Sequence, residues 1–310
     1  MRIFDAHAHV SVWPDAVVLA MRELGISDLC NISYPRDGSS TEALRTYERE
    51  LFSEDDSQNV QVHNVFSLPF GIIRQSFDDF LEASLSKIKK MKDQPNVVGI
   101  KIWKDVGMSV HEPGGRPLPI DSALLEPVFS AIAEARLICI VHTGDPLIAW
   151  TQEARNHEYF NRNPNFVMFG RPEFPSFYEL IDRFESLVER WRNITFLGAH
   201  FSSLDHDFAK LEALLRRNPN LFVDSAGRHD ALVRKSGEDF SSLLDAFPER
   251  IIYGSDWTVG RHSTTTDISD SACRRKLRLR QVIDILGECE QAERFFWKNA
   301  YRIFRGYHED

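Results

Sequence analysis

Several things are missing from this 310-residue chain, and each absence narrows what it does. Its four cysteines, Cys30, Cys139, Cys273 and Cys289, show no CxxC spacing. Cys30 and Cys139 fall in apolar segments, so the set reads as reduced thiols of a cytoplasmic protein and not as a disulfide framework. No basic run stands out, and 46 Asp and Glu outweigh 37 Lys and Arg to give a net charge of −9. Nucleic acid and anionic membrane surfaces are therefore not expected partners. No apolar run approaches membrane-spanning length, and the N-terminus enters a strand without the basic and apolar regions of a signal peptide. A Gly-rich phosphate loop after that strand is also missing, which argues against a doubly wound dinucleotide fold.

What is present is an alternation of apolar, strand-like runs with amphipathic helical stretches, in a chain whose 43% apolar content supports a sizeable core. Strands are expected at residues 2–10, 26–32, 60–66, 97–103, 137–142, 194–199, 221–224 and 250–254. Helices are expected at 14–24, 42–52, 76–91, from a cap at Asp121 or Ser122 to 136, at 176–191, 204–216, between strands seven and eight, and at 276–287 and 291–305. Eight strands, each followed by a helix, with no linker, predict a single-domain (β/α)₈ TIM barrel spanning 1–310. The rhythm breaks once, at residues 144–175, after strand five. So long an excursion inside a compact domain reads as a lid or substrate wall.

Within that frame, Asp5-Ala-His7-Ala-His9 places two imidazoles one residue apart on a strand, hence on one face, which is half of a transition-metal site. His142 ends strand five, His200 follows strand six and Asp256 follows strand eight. Strand C-terminal ends converge on one mouth of a barrel, where catalytic groups sit. Separately, each residue has an ordinary reading as an edge histidine, a helix cap or an N-cap; four histidines and a carboxylate all at strand ends point to a site.

These motifs, with Val141-His142-Thr143, Gly198-Ala-His200, Gly254-Ser-Asp256-Trp257 and the closing Asn299-Ala-Tyr-Arg-Ile-Phe304, resemble the amidohydrolase superfamily. More narrowly, they resemble the amidohydrolase-related branch that includes aminocarboxymuconate-semialdehyde decarboxylase. The resemblance implies one divalent metal, with Zn²⁺ as the default and Mn²⁺ or Fe²⁺ as substitutes, held by His7, His9, His142 and Asp256. It further implies that Asp256 carries a proton from the activated water to the leaving group, and that His200 hydrogen-bonds water or a developing oxyanion. Lys101, at the end of strand four, has two readings. In some superfamily members the equivalent lysine is carboxylated and bridges a second metal; otherwise it is a cation for a substrate carboxylate.

Arg228 and Arg116 are further candidate carboxylate clamps, and Trp103 and Trp257 candidate walls for an apolar substrate. The function expected is hydrolysis of an amide, lactone or related bond of a small, carboxylate-bearing molecule. Non-oxidative decarboxylation at the same metal is the alternative, and a catalytically silent binding barrel is the reading from a different class. The expected partner is a small-molecule substrate, with self-association into a homodimer left open.

Overall fold

Every residue of the first strand, β1 (Ile3–Val10), is buried. That is what a parallel strand covered on both faces requires, even with Asp5, His7 and His9 in the run. The computed structural model describes residues 1–33, 60–234, 237–260, 262–287 and 289–305. Beside β1 stand β2 (Ile26–Ile32), β3 (Gln61–Ser67), β4 (Val97–Ile102), β5 (Ile138–Val141), β6 (Phe196–Gly198), β7 (Leu221–Asp224), β8 (Ile251–Ile252) and β9 (Trp257–Val259), in the order β8-β7-β6-β5-β4-β3-β2-β1-β9. All pairings are parallel.

The predicted eighth strand, 250–254, is shorter as a ladder and is resumed by β9, which sequence reading did not anticipate. Asp256 sits at φ 57°, a left-handed conformation that no strand accommodates, so the chain steps out of the ladder and back in. Both halves stay on β1: Ala6 N–H donates to Tyr253 O (3.0 Å) and Asp256 N–H to His7 O (2.7 Å). The interrupted strand thereby joins β7 to the free edge of β1, and the ring closes as a TIM barrel.

Around it run α1 (Asp15–Leu24), α2 (Phe77–Met91), α3 (Glu126–Glu134), α4 (Phe177–Arg190), α5 (Phe208–Arg217), α6 (His229–Arg234), α7 (Gly237–Ala246), α8 (Thr265–Leu286) and α9 (Asn299–Arg305). Polar caps set several starts: the Ser76 and Ser176 side chains accept from Asp79 N–H and Glu179 N–H. The helix expected at 42–52 lies outside the described residues. Two boundaries move. α5 begins at Phe208, not Leu204, because residues 200–203 form a left-handed turn and Asp207 supplies the cap. α8 begins at Thr265, about three turns before the start expected at 276, on a capping box between Thr264 and Asp267. Its early part buries little beyond Ile268, so it carries no apolar periodicity to read.

The main apolar core lies between strands and helices. A second cluster gathers strand residues such as Phe4, Cys30, Val65, Ile140 and Leu197 with Ala300, Ile303 and Phe304 of α9. Phe304 stacks on Phe4 (5.4 Å between ring centres), so α9 seals the N-terminal end of the barrel. Asn299 fixes α9 there by donating to Pro248 O and Ile251 O, both at 2.9 Å. A third cluster (Ala149, Ala154, Phe160, Met168, with Met108 and Leu180) packs the excursion after β5, making it a formed wall with its own small core. Among the described residues no helix is long and apolar enough to cross a membrane.

Candidate metal centre

Both β1 histidines have their proton placed by a buried acceptor. His7 Nδ1 lies 2.8 Å from Asp224 Oδ2 and His9 Nδ1 lies 2.9 Å from Ile32 O. A carboxylate and a carbonyl can only accept, so each Nδ1 carries the hydrogen and each Nε2 presents a lone pair. Burial, and then the nearby Lys101 charge, lower the His7 pKa, which keeps the ring in the neutral form that a metal ligand needs.

The two Nε2 atoms converge on Asp256 Oδ1, at 3.9 Å from His7 and 3.5 Å from His9. Ligand atoms of the three residues all lie within 4.8 Å of one another. The Asp256 carboxyl is held well below the usual range. Burial alone would raise it, and the imidazoles of His9, His200 and His7 gathered around the carboxylate override that. Two glycines let the backbone approach this point. A Cβ on Gly254 would stand 2.9 Å from His7 Cβ, and one on Gly227, itself at φ +64°, would stand 3.0 Å from Asp256 Oδ2.

His142 follows β5, held by its N–H on Ile102 O (3.0 Å), and stands outside the three-residue group. Its Nε2 is buried without a hydrogen-bond partner. An orphaned buried nitrogen costs about 1–3 kcal/mol unless a ligand takes it. Burial, then the charges of His200 and Lys101, drive its pKa well down, so it too is a neutral donor. Its ring lies 4.4 Å from that of His200. The Nε2 lone pairs of His7 and His9, whose tautomers are fixed, with the unpartnered His142 Nε2 and one half-buried carboxylate, fit a divalent cation that takes N and O ligands.

His200 commits Nδ1–H to Ala226 O (2.7 Å) and keeps Nε2 as an acceptor. Burial lowers its pKa to about 3. Lys101 is fully buried, with Nζ 3.5 Å from His7 Nε2 and 5.5 Å from the centre of the Trp103 ring. Burial lowers its pKa to about 8.

A cavity of about 610 Å³ opens over this floor, with His142, His200 and Asp256 at its base and Leu147 and Tyr159 from the excursion on its wall. Arg228 reaches it with Nε on Asp205 (3.1 Å) and Lys104 with Nζ on Asp145 (2.6 and 2.8 Å). Trp103 stands beside His9, 5.5 Å between ring centres, with Nε1 donating to Ser67 Oγ (2.7 Å). Two sequence candidates are not brought to the mouth. Arg116 lies on an exposed turn, paired with Glu112, because the Gly-Gly-Arg loop folds back on itself through the His111–Pro117 bridge. Trp257 is fully buried in the main core, since β9 gives it a place in the barrel wall.

Sequence reading missed Asp224, whose carboxylate accepts from His7 Nδ1, from His200 N–H (2.9 Å) and from Ala226 N–H (3.0 Å). Its signal was the one used for the others, a polar residue at a strand end. Arg275 of α8 was also missed; it donates to Ser255 O (2.5 Å) and Asp256 O (3.1 Å), bracing the turn that carries Asp256.

Comparison with known proteins places this geometry. The family model described as amidohydrolase matches residues 4–306. No curated protein matches the sequence. Similar solved structures include 5-carboxyvanillate decarboxylase from Sphingomonas paucimobilis, with 12% identity, TM-score 0.61, and 98% of this chain and 99% of that one covered. A 4-oxalomesaconate hydratase from Rhodopseudomonas palustris matches with 13% identity, TM-score 0.55 and coverage of 97% and 95%. A dihydroxybenzoic acid decarboxylase from Polaromonas sp., solved with bound manganese and the inhibitor 2-nitroresorcinol, matches with 14% identity, TM-score 0.58 and coverage of 95% and 86%. At such identities the likeness is one of fold.

Proposed function

Because the chain belongs to the amidohydrolase family, we propose that it is a metal-dependent hydrolase whose unit spans 1–310 and whose partner is a small, carboxylate-bearing substrate. The observation that carries this reading is the convergence of His7 Nε2 and His9 Nε2 on Asp256 Oδ1, which with the orphaned His142 lines one cavity. His7, His9, His142 and Asp256 would hold the cation, with Zn²⁺ as the default for such donors and Mn²⁺ or Fe²⁺ as substitutes. A divalent ion there acts as a Lewis acid, polarising a substrate oxygen and bringing the pKa of water to about 7.

The protein's own groups then divide the work. Asp256, kept ionised, would accept a proton from the attacking water and return it to the departing amine or alkoxide. His200 offers only a lone pair at Nε2, so it orients that water as an acceptor and is not set to donate to an oxyanion. Among the described residues Arg228 makes no hydrogen bond through its terminal nitrogens, which leaves them for a substrate carboxylate. With Lys101 Nζ 3.5 Å from His7 Nε2, the lysine lies on the metal side of the cavity and serves as a fixed cation in a mononuclear site.

Decarboxylation is the second reading, and one observation favours it: two of the structural neighbours described above are decarboxylases of aromatic acids. The test is a screen of lactones, amides and aromatic carboxylates with Zn²⁺- and Mn²⁺-loaded protein, following both acid or amine release and CO₂ release. Hydrolytic turnover that is lost with chelator and restored by metal supports the first reading. CO₂ as the product of a carboxylate substrate replaces it with the second.

A further inference from the structure

Asp224 is fully buried at the end of β7 and receives three N–H groups on two oxygens: His7 Nδ1–H on Oδ2 (2.8 Å), and the backbone N–H of His200 (2.9 Å) and Ala226 (3.0 Å) on Oδ1. We propose that Asp224 is a positioning residue that sets the metal-binding tautomer of His7 and, through its second oxygen, anchors the left-handed turn carrying His200. One carboxylate thus couples a strand-borne ligand to a turn-borne acceptor. The role rests on the metal reading above.

The chemistry of an amide at this position makes the proposal sharp. Asn has nearly the shape of Asp but accepts through one oxygen only. Facing its NH₂ towards two converging backbone N–H groups sets donor against donor twice; facing it towards His7 does so once. In an Asp224→Asn variant the new amide therefore keeps its oxygen on His200 N–H and Ala226 N–H, and its NH₂ meets His7 Nδ1. His7 answers by moving its hydrogen to Nε2, so that Nδ1 accepts. That places a proton where the lone pair for the cation stood. A near-isosteric change that preserves the backbone bonds should then remove a metal ligand.

A purely structural Asp224 predicts the opposite pattern: lower stability of the metal-free protein, with the folded fraction binding metal normally. The experiment is competition of metal-free wild type and Asp224→Asn against a chelating dye for Zn²⁺, beside thermal melts of both in the metal-free state. The expected result is Zn²⁺ affinity weaker by about 10- to 100-fold, with the metal-free melt near wild type. Equal affinity overturns the role of Asp224 while leaving the metal site intact, whereas a wild type that binds no Zn²⁺ overturns the metal reading and this role with it. The ring-nitrogen shifts of ¹⁵N-histidine-labelled wild type provide a measurement that does not depend on the variant folding. They are read metal-free at mildly alkaline pH, with His7 assigned through His7→Gln. An Nδ1–H tautomer supports the proposal; an Nε2–H tautomer overturns it.

Discussion

β1 and the two turns at 200–203 and 254–256 bring side chains to the same point by opposite backbone means. β1 is extended and fully buried, and its histidines are aimed by strand geometry and by acceptors on neighbouring strands. His200 and Asp256 both sit at φ 57°, where a residue with a Cβ is strained by about 1–3 kcal/mol. Surrounding contacts impose that conformation: Asp224 on His200 N–H, Ser203 Oγ–H on Gly144 O (2.6 Å), and Arg275 on the carbonyls of Ser255 and Asp256. The difference is one of backbone: His7 and His9 are fixed to a rigid strand, whereas His200 and Asp256 are carried on turns whose backbone is held under load.

The largest expected effect breaks the strand side. His7→Ala and His9→Ala each remove a ligand that nothing nearby replaces, so purified variants should carry little metal and show no turnover. Elemental analysis beside wild type, expected at about one equivalent, is the measurement. Metal content equal to wild type in both variants would remove β1 from the site.

Next comes the turn side. Asp256→Asn can still offer the metal an oxygen but cannot take a proton, so it should keep much of its metal while turnover falls by about 10²- to 10⁴-fold. Asn is among the residues that tolerate a left-handed backbone, so the turn should survive the change. His200→Ala should likewise keep the metal if the site is mononuclear; loss of metal there would bring in a second ion and return Lys101 to its coordination. Metal titration with rates on the best screened substrate separates these outcomes.

How much of this the sequence disclosed follows the same division. Alternating His7 and His9 on a strand are legible because strand periodicity is local, and β7 is bounded at 221–224 as expected because its apolar run closes on Asp224. Asp256 and His200 were legible as residues but not as backbone: a left-handed turn imposed by partners distant in the chain leaves no local signature. The split of the eighth strand and the late start of α5 follow from that. Asp224 was legible only as a polar residue at a strand end; its role was not, because its partner His7 lies 217 positions away. Arg116 and Trp257 show the converse, residues of the right chemistry beside strand ends that a self-closing loop and an extra strand direct elsewhere.

A smaller effect probes how closely the turn is packed on the strand. Gly254→Ala puts a methyl 2.9 Å from His7 Cβ and 3.2 Å from Ala226 Cβ, neither of which is the far end of a flexible chain. The overpacking should cost about 1–3 kcal/mol, measured by denaturant unfolding of the metal-free protein. An unchanged midpoint would mean that strand and turn are less tightly joined than these distances imply.

The smallest effect is a change of sign, and it bears most directly on the two backbones. On β1, Gly in place of Ala loosens an extended segment, so His7→Gly should be less stable than His7→Ala by about 0.5–1 kcal/mol. At His200 the native conformation is left-handed and the Ala methyl pays the steric penalty that Gly avoids, so His200→Gly should be more stable than His200→Ala by about 1 kcal/mol. Each pair removes the same imidazole, so the lost side-chain contacts cancel within a pair and the remaining difference reports backbone strain. Thermal melts of the four metal-free variants test it. If Ala is preferred at both positions, the turn has relaxed once its side chain is gone; the strain then belongs to the contacts of the His200 ring with Ala226 and His142, and not to the backbone that Asp224 anchors.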